Sequence, residues 1–209
     1  MNVVAFNGSP HREGVVYHGL AVMKEELEKE GIGTEIVHVG GEDIRGCVDC
    51  RACRRPPFAC AFNDDPVNAC REKVNAADGL ILGSPVYYGG VAGTFKSFLD
   101  RLFFPGLAMR CKPAAAAVSL RRSGGISTFH QLNNYLNLAQ ALIVPSVYWG
   151  VIHGNSPEEL EEDREGLQIM RISGRNMAWL LKVLDAGAKE APPPELPKRE
   201  WTNFIRGGA

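Results

Sequence analysis

Apolar positions gather into five short runs, at residues 3–6, 34–39, 79–83, 114–120 and 143–149. Between most of them lie longer stretches with helical spacing. Residues 3–6 read as a strand broken by Asn7-Gly8-Ser9-Pro10. Helical spacing then runs from Val15 to about Lys29, with Leu20, Met23 and Leu27 on one face and Gly31 as C-cap. Residues 34–39 alternate as a second strand. Strand, loop, helix and strand within about 40 residues predict a parallel, doubly wound sheet.

The most informative stretch is 76–100, AADGLILGSPVYYGGVAGTFKSFLD. Its run 79–83 reads as a strand buried on both faces. Two tyrosines follow between Pro85 and the Gly89-Gly90 pair. Val91, Phe95, Phe98, Leu99 and Leu102 then recur at helical spacing over 91–102. The aromatic loop therefore lies at the carboxyl end of a strand, where open α/β sheets bind ligands. The small-residue run 114–120 reads as a central strand, followed by the loop Arg121 to Gly125 and a helix over 129–142. Residues 143–149 are the fifth strand, and Pro145 places it at an edge or a bulge. A turn at 153–157 is capped by Ser156, with Glu159 completing a capping box. A long helix covers 163–184. Pro192-Pro193-Pro194 ends helical structure, and Trp201, Phe204 and Ile205 in the tail suggest packing on a neighbouring subunit.

Charge narrows the function classes. With 23 basic and 24 acidic residues, the net charge of -1 gives no reason to expect nucleic-acid binding. No apolar segment approaches the ~20 residues a membrane span needs. The opening MNVVAFNGSP has neither a basic region nor a cleavable apolar stretch, so a cytoplasmic protein is expected.

Two segments carry chemistry. After the first strand, backbone N–H groups opening a helix, with Ser9, His11 and Arg12 nearby, make an anion site. The competing reading is a tight turn. The second segment is 40–63, with Cys47, Cys50, Cys53 and Cys60 spaced x2, x2 and x6. Thiolates at that spacing can converge on one iron–sulfur cluster, with Arg51, Arg54 and Arg55 to stabilise them. Small buried hydrophobes and a metal-free redox thiol pair remain open as alternatives. Asp64-Asp65 reads as a cap for a helix beginning near Pro66.

Gly8-Ser9-Pro10, Ser84 to Gly89, Lys96 to Arg101 and Arg122-Ser123-Gly124-Gly125 together resemble the flavodoxin-like NAD(P)H-dependent flavin reductases. Tyr148-Trp149 to Gly154, with Asp163, Glu165-Gly166 and Met170-Arg171, is similar to one branch of them. The cysteine segment followed by Asp64-Asp65 resembles the iron–sulfur flavoproteins. The resemblance implies a five-stranded parallel sheet of order 2-1-3-4-5 with helices on both faces. It would span an FMN-binding domain at 1–187, with a Pro-rich tail at 188–209. FMN phosphate would bind Ser9, Arg12 and the amides of Gly14, Val15, Val16 and Tyr17. The ring would lie against Pro85, Val86, Tyr87, Tyr88 and Gly89, and Arg122, Ser123, Gly124 and Gly125 would approach its pyrimidine side. Val15-Val16 stand where relatives carry a small polar residue and a threonine, so other donors must hold the phosphate.

The implied function is an FMN-dependent oxidoreductase. It would pass electrons from NAD(P)H to a small-molecule or protein acceptor, as a homodimer or homotetramer. No catalytic side chain is required, because the flavin carries the chemistry. The alternatives are an iron–sulfur flavoprotein, with a [4Fe-4S] cluster on Cys47, Cys50, Cys53 and Cys60, and a flavodoxin-like electron carrier or redox sensor.

Overall fold

A computed structural model describes residues 1–198 and 200. Trp201, Phe204 and Ile205 lie outside the described residues. The elements run β1 (Asn2–Asn7), α1 (Val15–Lys29), β2 (Gly33–His38), α2 (Val67–Ala76), β3 (Gly79–Tyr87), β4 (Gly90–Val91), α3 (Gly93–Phe103) and β5 (Pro113–Leu120). They continue with α4 (Gly125–Leu138), β6 (Leu142–Ile143), β7 (Val151–His153), α5 (Pro157–Glu162) and α6 (Arg164–Gly187).

The sheet order is β2-β1-β3-β5-β6, with β7 also on β5 and β4 folded back on β3. All pairings are parallel except β3 with β4. This is the flavodoxin-like order, with the fifth position shared by two short strands. Alternate residues of the central strands face opposite layers, as the period of 2 requires. Val4, Phe6, Leu80, Leu82 and Ala116 pack with Val67, Cys70, Phe95, Phe98 and Leu132 on one face, the side of α2, α3 and α4. Val3, Ala5, Ile81 and Ala117 pack on the other with Leu20, Met23, Leu27, Met170 and Met177 from α1 and α6. The central runs 3–6, 79–83 and 114–120 are apolar almost throughout because both faces are covered.

Three boundaries moved, each for a tertiary reason. Expected in a helix, Val91 instead pairs with Val86 in a β-hairpin. Tyr88 at φ 50 and Gly89 at φ 75 supply the two left-handed positions of a tight two-residue turn, so α3 starts at Gly93. Helix α4 begins four residues before the expected 129, because Gly124 at φ 89 turns the chain and its carbonyl accepts from the Thr128 amide at 3.2 Å. The expected strand 143–149 is instead an excursion around Pro145. On this side of the sheet β6 and β7 pair with β5, at Pro113–Ala114 and Val118–Leu120.

Candidate functional site

Strands β1, β3, β5 and β7 end at a groove of about 740 Å³. It is lined by Ser9, Arg12, Gly14, Val15, Val16, Pro85, Val86 and Tyr87, all expected there. The first loop is held by Asn7. Its Oδ1 accepts from the Ser9 amide at 3.0 Å, and its Nδ2 donates to the Arg12 carbonyl at 3.0 Å. His38 Nε2 lies 2.8 Å from the Ser9 carbonyl and ties the loop to the end of β2. A Cβ on Gly8 would fall inside the Phe95 ring, so only glycine lets the loop sit this low on α3.

No side chain caps α1 at Gly14. His18 is the first amide bonded back along it, to the Gly14 carbonyl at 3.1 Å. The amides of Val15, Val16 and Tyr17 therefore open α1 without partners within the helix, and Val15 and Val16 line the groove with Ser9 and Arg12. That is an anion cradle with no acceptor of its own. The valine side chains are buried at 7% and 2% exposure and belong to the core under α1. Their backbone makes the cradle while their side chains anchor the helix. The Tyr17 ring lies outside the groove lining and stands edge-on to His18.

The ring-wall residues divide. Pro85, Val86 and half-exposed Tyr87 line the groove, but fully exposed Tyr88 forms the hairpin tip beyond it with partly buried Gly89. Ser84 is buried and accepts from the Ala92 amide at 3.2 Å, which fixes the hairpin to the start of α3. Arg122 to Gly125 line an adjoining pocket of about 340 Å³, with Tyr148, Trp149 and His153. Gly124 packs on the hairpin: a Cβ there would lie 2.9 Å from Gly89 Cα, and Ser127 Oγ donates to the Gly89 carbonyl at 2.5 Å. Sequence reasoning missed Ser119, Arg121, Asn155 and Ser156, which complete the groove. The available signal was that both loops follow strands on the same sheet edge. The expected capping box is half formed: Ser156 Oγ accepts from the Glu159 amide, but the Glu159 carboxylate takes the Asn155 amide at 2.7 Å.

The cysteine segment has no regular structure beyond a turn of 3-10 helix at Ala52–Arg54. Asp49 at φ 49 and Arg51 at φ 57 flank Cys50 in the left-handed region, curling the chain around it. As a result Cys47, Cys50, Cys53 and Cys60 line one cavity with Phe62, Arg101 and Phe104. All four thiols are free. Burial pushes the Cys53 thiol up, and the thiols of Cys60, Cys50 and Cys47 add to the shift. The space between them is about 20 Å³, room for about one water. Among the described residues no group of three or more His, Cys, Asp or Glu gathers tightly enough for a single metal ion. Four thiols are a donor set of the kind iron–sulfur clusters use. Receiving one requires this irregular segment to open outward, where Cys47 and Cys50 are already exposed.

What holds the segment is Arg101 of α3, whose side chain is 1% exposed and pairs with Asp65 at 3%. Asp65 Oδ1 also accepts from the Val67 amide at 3.1 Å; it lies one residue ahead of Pro66, which caps α2 in place of the expected aspartate. The three arginines nominated with the cysteines are exposed: Arg51 pairs with Asp49 at 3.2 Å, and Arg54 lies over the Phe104 ring at 4.8 Å. Arg101 lies on an otherwise apolar helix face, and nothing in its own spacing marks it.

Comparison with known proteins finds flavin reductases and iron–sulfur flavoproteins among the similar chains. A family model described as NADPH-dependent FMN reductase matches residues 1–156. An iron–sulfur flavoprotein of Methanocaldococcus jannaschii is 31% identical over 88% of this chain and 99% of that protein. One from Methanosarcina thermophila is 29% identical over 88% and 97%. Among solved structures, an NAD(P)H:quinone oxidoreductase from Methanothermobacter marburgensis aligns with a TM-score of 0.66 at 18% identity. That alignment covers 85% of this chain and 96% of the other, and it shows a common fold.

Proposed function

The chain belongs to the NADPH-dependent FMN reductase family, and from that premise we propose an FMN-dependent oxidoreductase that exchanges electrons with an iron–sulfur cluster on Cys47, Cys50, Cys53 and Cys60. The observation that carries the reading is the gathering of these four cysteines, and no carboxylate, around one cavity. The name shared by the Methanocaldococcus and Methanosarcina relatives supports it.

Bound FMN supplies two-electron chemistry at its ring, and a bound cluster supplies one-electron chemistry. The amides of Val15, Val16 and Tyr17, with Ser9 and Arg12, hold the phosphate. Pro85, Val86 and Tyr87 give the ring an apolar wall that limits water on one side. Arg122 to Gly125 approach the ring from the adjoining pocket, and Tyr88 and Gly89 act through the hairpin that positions the wall. NAD(P)H is the proposed electron donor, after the family's description, and the acceptor is a small molecule or a protein. Residues 1–187 form the cofactor-binding unit and 188–209 a tail. Exposed Tyr88, Val147, Tyr148 and Trp149 beside the groove support a homodimer or homotetramer. Among the described residues no helix is long and apolar enough to cross a membrane. A reducing cytoplasm would suit the free thiols.

A second reading, a flavin reductase whose cysteines stay free, is favoured by the narrow space between the thiols. Absorption spectra of freshly purified anaerobic protein, with iron, sulfide and flavin quantified, separate the two. We expect FMN with about four irons per chain. FMN without iron eliminates the cluster and leaves the reductase. Failure to bind added FMN eliminates both.

A further inference from the structure

We infer that Arg101 sets the redox poise of the cysteine-bound group, acting as a positioning residue through the Cys60 sulfur. This rests on the reading that the four cysteines hold a cluster. A guanidinium this deeply buried is costly unless every donor is matched. Arg101 matches all of the five N–H donors that an arginine carries. Nη1 and Nη2 take the two Asp65 oxygens, Nη1 also reaches the Arg45 carbonyl at 3.3 Å, and Nη2 the Phe62 carbonyl at 3.2 Å. Nε donates to Cys60 Sγ at 3.2 Å.

Asp65 alone could neutralise Arg101. The Nε bond does something else: it aims a charged donor at one sulfur of the cluster set. The carbonyls of Arg45 and Phe62 lie outside the two ends of the cysteine run, so the same side chain clips both ends of the loop. Asn68 of α2 fixes the Cys60 backbone as well, accepting from its amide and donating to its carbonyl at 2.9 Å each. Cys60 is thus the anchored ligand, while Cys47 and Cys50 sit on exposed loop. Hydrogen bonds to ligand sulfurs are a principal control on cluster potential. A positive donor favours the reduced, more negative cluster and raises its potential. Arg101 is also on α3, which starts next to the hairpin of the flavin wall. Eight residues of helix, about 12 Å, separate it from Gly93.

The test uses anaerobically reconstituted wild type, Arg101→Lys and the double variant Asp65→Asn/Arg101→Met. Lysine keeps a charge for Asp65 but cannot also hold the fork to Cys60, and the double variant leaves no lone buried charge. Iron, sulfide and FMN are counted, and the cluster is titrated with dithionite under EPR. We expect both variants to keep cluster and FMN, with the midpoint moved to more negative potential. The expected size is roughly a tenfold change in the oxidised-to-reduced balance, about 59 mV for one electron. Clusters with unchanged midpoints overturn the inference and leave the functional reading standing. Loss of iron from both variants with FMN retained also overturns it, because Arg101 is then a structural clamp only. A wild type that holds no iron overturns inference and reading together.

Discussion

In the groove, the donors proposed for a phosphate are backbone amides at the start of α1, whose Val15 and Val16 side chains lie in the core. In the cysteine segment the groups that face the cavity are side chains on irregular backbone, held from outside by Arg101 and Asn68. The groove borrows its rigidity from the sheet, and its binding atoms survive most side-chain changes. The cysteine loop borrows rigidity from a few polar contacts and depends on each. The contrast explains why two valines can stand in a phosphate loop, while one buried arginine cannot be replaced freely.

The sharpest way to break the comparison is Arg101→Met alone. It strands the Asp65 carboxylate in the interior, and a broken buried pair costs about 3–5 kcal/mol. Urea unfolding should show that loss, and an unchanged midpoint would mean that the loop does not depend on the pair. Next comes Gly8→Ala, which forces a methyl into the Phe95 ring and should cost about 1–3 kcal/mol by overpacking. The paired variant Gly8→Ala/Phe95→Leu should recover part of it. No recovery in thermal melts would show that the loop's position is set elsewhere.

Arg12→Ala tests the groove's reliance on backbone. It should weaken FMN binding roughly tenfold, the size of one charged hydrogen bond, and leave riboflavin binding unchanged in fluorescence titrations. Complete loss of FMN binding would contradict the amide cradle.

The smallest effect sharpens the contrast with a neutral control, the contact between α1 and α6. Glu26 is buried there, held below the usual carboxylate range by the Arg175 hydrogen bond and then by Lys29. Its folded pKa is depressed, so its contribution is full above the unfolded value of 4.5 and is lost as pH falls through the lower folded value. Glu26→Gln should therefore flatten the acid side of a stability-versus-pH curve. Cofactor content at neutral pH should not change. An identical acid limb in both proteins would rule the assignment out.

Much of the frame was readable because local pattern and tertiary role agree. Helix α1 is found where expected, at Val15–Lys29, since its apolar stripe is also its buried face. The run 79–83 is a strand inside β3 because it is apolar on both sides. Tyr87 and Tyr88 look equivalent in sequence, yet one lines the groove and the other is the turn residue of a hairpin. What distinguishes them is strand pairing, of Val86 with Val91 and of Tyr87 with Gly90, which leaves Tyr88 in the turn.

The sequence by itself determined an alternation of strands and helices, a glycine-broken loop after the first strand and a four-thiol set, because periodicity, glycine and cysteine spacing are local properties. The strand order followed only from resemblance. Only the tertiary structure decided that Arg122 to Gly125 face a neighbouring pocket while Arg121 faces the groove. It alone joined Arg101 to Cys60, 41 residues away. A buried charge is settled by whichever partners the fold brings to it, and helical spacing carries no record of those partners.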